Sequence, residues 1–446
     1  MMETPICDFV RNYCQSDMLR MHMPGHKGKG PLGMELFDLT EIDGADELYH
    51  AHGIIRQSEE NAAALFGTAK TLYSAEGSSL CIRAMLYLAL LHAKANGRRP
   101  VICAGRNAHK VFVTAAALLD LDVVWLCPED RENVITCALD AEALGQTLDA
   151  ERPAAVYVTS PDYLGHIADI RALADVCHQH DTLLLVDNAH GAYLRFLPES
   201  RHPMDLGADI CCDSAHKTLP VLTGGAYLHL SHVAPKALCG WAESAMSLFA
   251  STSPSYLILQ SLDAANQYLA EGYPARLLET VGRVAALKSR LAAHGYALVG
   301  EEPTKLTLSP KSFGYTGEAL AAKLQRDGIF CEFADPDFLV MMCTPETSPD
   351  DFNRLEHALL KVMRKAPIAD CPPTPPTPER VLSPREALLS PHEALPLDAC
   401  CGRVLASANV SCPPAVPIAV CGERIDDNVL RSLAYYGIST CDVCIE

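Results

Sequence analysis

Between about Asn61 and Leu230 the apolar residues fall in short, nearly unbroken runs, separated by longer stretches with helical spacing. The runs are Val101-Ile-Cys103, Val123-Val-Trp-Leu126, Ala155-Val-Tyr-Val158, Thr182-Leu-Leu-Leu-Val186 and Ala208-Asp-Ile-Cys-Cys212. A strand with one wet face alternates apolar and polar residues, whereas a strand covered on both faces reads as continuous apolar sequence. These runs therefore predict an α/β unit with a mostly parallel sheet and helices on both sides.

Residues 1–60 read as an N-terminal arm, and residues 61–274 as the large domain. A second unit, residues 275–366, combines a long helical stretch, short strands around Leu306 and Phe338 and a helix from Phe352 to Val362, which predicts a small α+β domain. Residues 367–382 carry Pro-Pro-Thr-Pro-Pro-Thr-Pro378, which sustains neither helix nor ladder and reads as an extended linker. Residues 383–446 hold helical stretches at Pro384–Leu389 and Asp426–Tyr436 around a proline-rich segment. Such a piece buries little apolar surface alone and is expected to pack on other parts of the chain or on a partner subunit.

The 446 residues carry a formal net charge of −19, with no basic run. That balance argues against nucleic acid and anionic membrane surfaces as partners. No run of about 18 apolar residues suggests a membrane span, and Met1–Met21 lacks the features of a secretory signal, so a cytoplasmic location is expected. The 19 cysteines are scattered through apolar segments, which favours reduced, buried thiols. Cys441-Asp-Val-Cys444 has metal-ligand spacing but no second pair, so no metal site is expected.

In a parallel sheet the ligand lies beyond the carboxyl ends of the strands. The residues there are polar: Thr159-Ser-Pro-Asp162, Asp187-Asn-Ala-His190 and Asp213-Ser-Ala-His-Lys217. Lys217 follows a buried strand, and a desolvated amine is suited to imine formation with a carbonyl cofactor. Asp187, at another strand end, is placed to keep a pyridinium nitrogen protonated. Ala189 is small enough for a ring to approach, while His190 is either a hydrogen-bonded core histidine or a catalytic one. Glu76-Gly-Ser-Ser79 precedes the helical stretch Leu80–Ala95, and its glycine, hydroxyls and helix-start amides form either a phosphate cradle or a plain helix cap. His109, after the first run, is placed to stack on a ring or to sit on the surface.

In this order the motifs resemble the Orn/Lys/Arg decarboxylases, the prokaryotic basic amino-acid decarboxylases of pyridoxal-phosphate (PLP) fold type I. The resemblance runs from Pro24-Gly-His-Lys-Gly28 through Asp38-Leu-Thr-Glu41, Gly77-Ser-Ser79, His109-Lys110, Ser160-Pro-Asp-Tyr-Leu-Gly165, Asp187-Asn-Ala-His-Gly191, Ser214-Ala-His-Lys-Thr218 and Ser251-Thr-Ser-Pro254. It continues in Gly314-Tyr-Thr-Gly317 and from Ser383-Pro-Arg-Glu-Ala387 to Gly422-Glu-Arg-Ile425. It implies a short form of the family without the N-terminal wing domain.

By that resemblance Lys217 forms the internal aldimine, Asp187 pairs with the pyridine nitrogen, His109 stacks on the ring and Ala189 backs its other face. Ser78, Ser79, Ser214 and His216 bind the phosphate, with Thr252 or Ser253 from a second subunit, which implies a homodimer or higher homo-oligomer. Lys217 or His216 returns the proton after carbon dioxide leaves, and Glu423 meets the far end of a basic amino acid: arginine, lysine or ornithine. Asn188, Tyr193 and Gly224-Gly225 depart from residues common in the family and unsettle substrate choice. The alternatives are another PLP reaction, such as transamination or aldol cleavage, and a non-catalytic regulator that keeps the fold.

Overall fold

The computed structural model describes residues 2–128, 131–408 and 414–445. Its main sheet has seven strands: β1 (Lys70–Ser74), β2 (Val101–Gly105), β3 (Asp122–Leu126), β4 (Ala155–Thr159), β5 (Leu183–Asp187), β6 (Ile210–Asp213) and β7 (Ala226–Leu230). Their order across the sheet is β1-β7-β6-β5-β4-β2-β3. β2 and β3 pair in parallel, as do β5 and β6, whereas β7 runs antiparallel to both β6 and β1. The five expected runs are β2 to β6, and every residue of β2, β5, β6 and β7 is buried, as two covered faces require.

The chain divides into two compact units that are not consecutive in sequence. The first comprises residues 1–100, 148–156 and 170–275, and the second residues 101–147, 157–169 and 276–446. In the first unit the helix Gly77–Ala95 buries Leu80, Cys81, Met85, Leu88 and Ala89 along nearly its whole length. Helix Ile54–Phe66 ends at Gly67 in a left-handed C-cap, a conformation that glycine adopts without Cβ strain.

The second unit holds a four-stranded antiparallel sheet, β8 (Ala297–Val299), β9 (Lys305–Ser309), β10 (Phe333–Ala334) and β11 (Leu339–Met342), in the order β10-β11-β9-β8. Leu306, Leu308, Leu339 and Met341 close it over Leu320, Leu324 and Leu359 from helices Gly317–Arg326 and Pro349–Leu360. Helices Pro349–Leu360 and Pro384–Leu389 each open with proline and a capping box, Ser348 with Asp351 and Ser383 with Glu386. Residues 366–379 carry no helix or strand.

The C-terminal cysteine pair lies in β13 (Thr440–Cys444), which is antiparallel to β12 (His392–Pro396). Cys441 and Cys444 are both buried, and the Cys444 thiol donates to the Ala387 carbonyl at 3.8 Å. No disulfide joins the cysteines among the described residues. Among the described residues no helix is long and apolar enough to cross a membrane.

Within the second unit Arg106 donates to the Glu423 carboxylate at 2.8 Å, with both side chains almost wholly buried. The same carboxylate oxygen accepts from the Val420 backbone at 2.7 Å, and the guanidinium lies 4.8 Å from the centre of the Trp125 ring. Burial pushes the Glu423 carboxyl up, opposed by Arg106. Removing one member of such a pair leaves the other charge buried and uncompensated. Glu423→Ala is therefore expected to cost roughly 3–5 kcal/mol in urea unfolding; a loss indistinguishable from zero would show that the pair carries no structural load.

Candidate active site

The carboxyl ends of β5 and β6 lie side by side, with Asp187 opposite Cys212 in the register. Asp187, the last residue of β5, is almost fully buried. Its Oδ1 accepts from the Ala189 backbone N–H at 3.2 Å and from the Cys212 thiol at 3.6 Å. The chain turns directly after it, because Gly191 N–H bonds back to the Asn188 carbonyl at 2.8 Å. That turn brings His190 over the neighbouring tip, where its Nε2 lies 3.0 Å from Lys217 Nζ.

Lys217 is carried by a single helical turn, Ala215–Thr218, that follows β6. The turn is pinned by two bonds to one carbonyl: Gly225 O accepts from the His216 backbone N–H at 3.1 Å and from its Nδ1 at 3.0 Å. His216 therefore carries its ring proton on Nδ1. Burial lowers its pKa, and the Lys217 charge lowers it further, so the ring is held neutral.

The Gly224-Gly225 departure has a spatial reason. Gly224 has φ +100°, and a Cβ there would stand 2.9 Å from the Ala75 carbonyl oxygen; a Cβ on Gly225 would stand 2.3 Å from a Val221 methyl. The Gly224 carbonyl accepts from Gly77 N–H at 2.7 Å. The bare backbone thus ties the Lys217 turn to the start of the Gly77–Ala95 helix.

That helix begins at Gly77, three residues earlier than the sequence pattern indicates, so Ser78 and Ser79 lie inside its first turn rather than ahead of it. The physical reason is Gly77 itself, whose φ of +71° lets the chain leave β1 and enter the helix within three residues. Glu76 occupies the cap position without capping, because its carboxylate accepts from the Ser251 backbone at 2.7 Å. The first-turn amides of a 19-residue helix therefore have no side-chain cap, and a helix start of that kind suits a phosphate. Ser214 Oγ bonds Ser78 Oγ at 2.8 Å, bringing a third hydroxyl to the same place. The donor set, three hydroxyls and uncapped amides beside a buried carboxylate and a lysine, fits pyridoxal phosphate.

Ser78, Ser79, Asp187, Ala189, His190, Ser214, His216 and Lys217 all belong to the first unit; bonds link Ser78 to Ser214, Asp187 to Ala189 and His190 to Lys217, with Ser79 beside Ser78 in the same helical turn. Thr252 and Ser253 are exposed on the loop whose Ser251 holds Glu76. His109 lies in the second unit as the N-cap of helix Lys110–Leu119, its Nδ1 accepting from Val111 N–H at 3.2 Å. Glu423 also lies in the second unit; the sequence did not reveal that its charge is matched by Arg106.

Sequence reasoning also missed a buried group behind the strand tips. The Asp213 carboxylate accepts from Asn188 Nδ2 at 2.6 Å, His202 Nε2 at 2.9 Å and His229 Nε2 at 3.3 Å. Cys211 stands close to His202 and Asp213, a set with metal-ligand chemistry. The histidines and the carboxylate are already matched as donors and acceptor, and burial pushes the Cys211 thiol far from the thiolate that a metal takes. The only sequence signal was the pair of polar residues, Asn188 and Asp213, at adjacent strand ends.

The Orn/Lys/Arg decarboxylase major domain matches residues 4–298. The chain is 30% identical over 460 residues to an arginine decarboxylase of Bacillus subtilis (strain 168), covering 95% of this chain and 92% of that protein. It is also 30% identical over 474 residues to an arginine decarboxylase of Halalkalibacterium halodurans, covering 97% and 92%. In fold it matches the Francisella novicida lysine decarboxylase with a TM-score of 0.80 at 16% identity, over 99% of this chain and 81% of that one. The α/β architecture is that of fold type I PLP enzymes, and the chain belongs to the Orn/Lys/Arg decarboxylase family.

Proposed function

We propose that this protein is a PLP-dependent decarboxylase of a basic amino acid, with arginine as the substrate, and that it works in the cytoplasm as a homodimer. The observation that carries the reading is the contact between Lys217 and His190 at the tips of β6 and β5, next to Asp187 and the uncapped helix start. Arginine is favoured by the names of the relatives that match nearly the whole chain. A second subunit is favoured by the exposure of Thr252 and Ser253, hydroxyls that suit a site completed by a partner. A reducing compartment suits the many cysteines buried in apolar surroundings.

When bound, PLP supplies an electron sink for the pair left as the α-carboxylate departs as carbon dioxide. Lys217 holds the cofactor through its amine, and His190 orients that amine through the 3.0 Å contact. Asp187 is the partner for the ring nitrogen: buried, and oriented by the Ala189 amide and the Cys212 thiol, it offers a fixed acceptor in place of water. Ser78, Ser79 and Ser214 donate to the phosphate. His109 is assigned to the ring face and Ala189 to the opposite one.

Return of the proton to the α-carbon is assigned to Lys217. His216 is the poorer donor, because its Nδ1 proton is spent on the Gly225 carbonyl and burial lowers its pKa.

The direct test is purified protein with PLP, given arginine, lysine and ornithine in turn. Agmatine and carbon dioxide in equal amounts from arginine are expected; a keto acid instead would indicate transamination, and no product from any of the three would refute the reading. Lys217→Ala is expected to lose the visible absorbance of lysine-held cofactor and to lower turnover by roughly a thousandfold or more, with the circular dichroism unchanged. Asp187→Ala is expected to bind cofactor while turnover falls about a hundredfold or more; a near-normal rate would remove Asp187 from its role.

A further inference from the structure

We propose that Asp213 is a positioning residue for Asp187: it grips Asn188 from behind the strand tips and so fixes the carboxylate that meets the cofactor nitrogen. The inference rests on the cofactor site described above and goes beyond it, because Asp213 touches neither cofactor nor substrate.

Asp213 has no exposed surface, yet its hydrogen bonds are those of an ionised carboxylate. Burial alone would raise its pKa, but His202 and His229 hold it well below the usual carboxylate range. The protons can be placed from geometry. His202 Nδ1 accepts from the Met204 backbone N–H at 3.3 Å, so its Nε2 is the donor to Asp213. His229 Nε2 faces the same carboxylate, which only accepts, and its Nδ1 lies 2.8 Å from the Thr71 hydroxyl, itself 2.8 Å from Thr68. The carboxylate is thus served by three side-chain N–H groups from the β5 tip, the loop before β6 and β7.

Asn188 shows what this anchor does. Its backbone N–H bonds the Cys212 carbonyl at 3.0 Å, and its side chain bonds Asp213 at 2.6 Å, so the residue after Asp187 is held from both main chain and side chain. Its Oδ1 is buried without a hydrogen-bond partner, a costly arrangement that the charge-assisted bond to Asp213 offsets. Gly191 makes the seat possible, since a Cβ there would lie 1.9 Å from that same oxygen. Asp213 is also the residue directly before Ser214 and the Lys217 turn. One carboxylate therefore couples the Asp187 tip to the Lys217 tip. The other titratable groups near it are Cys211 and Cys212 of β6, Tyr227 of β7 and Cys81 of the Gly77–Ala95 helix, each pushed up by burial and by the Asp213 charge.

The test uses the full chain reconstituted with PLP. Wild type is titrated first; failure to form the lysine-held absorbance there would remove the cofactor reading and this inference together. Asp213→Asn places an amide against the Asn188 amide. The expected result is PLP affinity and kcat each lower by about tenfold or more with KM little changed, and a shifted pH midpoint of the cofactor absorbance. Leu308→Ala, in the apolar core of the second unit, is the control for lost stability, and it should leave that midpoint in place. If Asp213→Asn does not fold, Asn188→Ala removes the grip while keeping the carboxylate, and the same shift is expected. A wild-type midpoint and wild-type kcat per bound cofactor in the variant that folds would overturn the proposal.

Discussion

Asp187 stands opposite Cys212 in the parallel pairing of β5 with β6, and the candidate chemistry depends on that register. A slip of one residue would turn the slipped strand's side chains to the other face of the sheet and take Lys217 away from His190. Two independent restraints oppose such a slip. The five residues of β5 and the four of β6 are all buried, so every position has a committed side, and the Asn188 amide bonds the Cys212 carbonyl one step beyond the pairing. The tip of each strand is then bent by its own local device, a turn closed at Gly191 on β5 and a single helical turn anchored to Gly225 on β6. Rigid sheet and short turns together place an amine, an imidazole and a carboxylate with little freedom to lose on binding.

Electrostatics at this edge of the sheet are divided between front and back. In front, Lys217 and the uncapped helix start favour an anionic ligand, while burial keeps His216 neutral. Behind, the ionised Asp213 is satisfied by side-chain N–H donors rather than by a lysine or arginine. Glu423 is handled in the opposite way in the second unit, where a guanidinium matches it directly. Buried carboxylates tolerate either solution provided that their lone pairs are met.

Much of this was legible in the chain. The five apolar runs became β2 to β6 because strands covered on both faces need no alternation, and the polar residues after β5 and β6 meet at the cluster, whereas Thr159–Asp162 and His109 lie in the second unit. β1 and β7 escaped because their interiors carry Thr71 and His229, which face each other in the register and spend their polarity on the Asp213 network. The helix start moved to Gly77 because a left-handed glycine, not the first leucine, decides where the chain can turn. His202 and His229 belong to no motif, and only the fold brings them to one carboxylate. The pairing of Glu423 with Arg106 was not legible, because the two residues lie more than 300 positions apart in the chain. The two compact units likewise draw on segments far apart in sequence, which linear composition does not register.

On the reading proposed here the tips of β5 and β6 and the Gly77 helix start hold one cofactor, bound through Lys217. Borohydride reduction of the PLP-reconstituted protein, followed by peptide mapping by mass spectrometry, tests it most directly. The pyridoxyl mass is expected on the peptide that contains Lys217. The same mass on another lysine, such as Lys110, or on none, would contradict it.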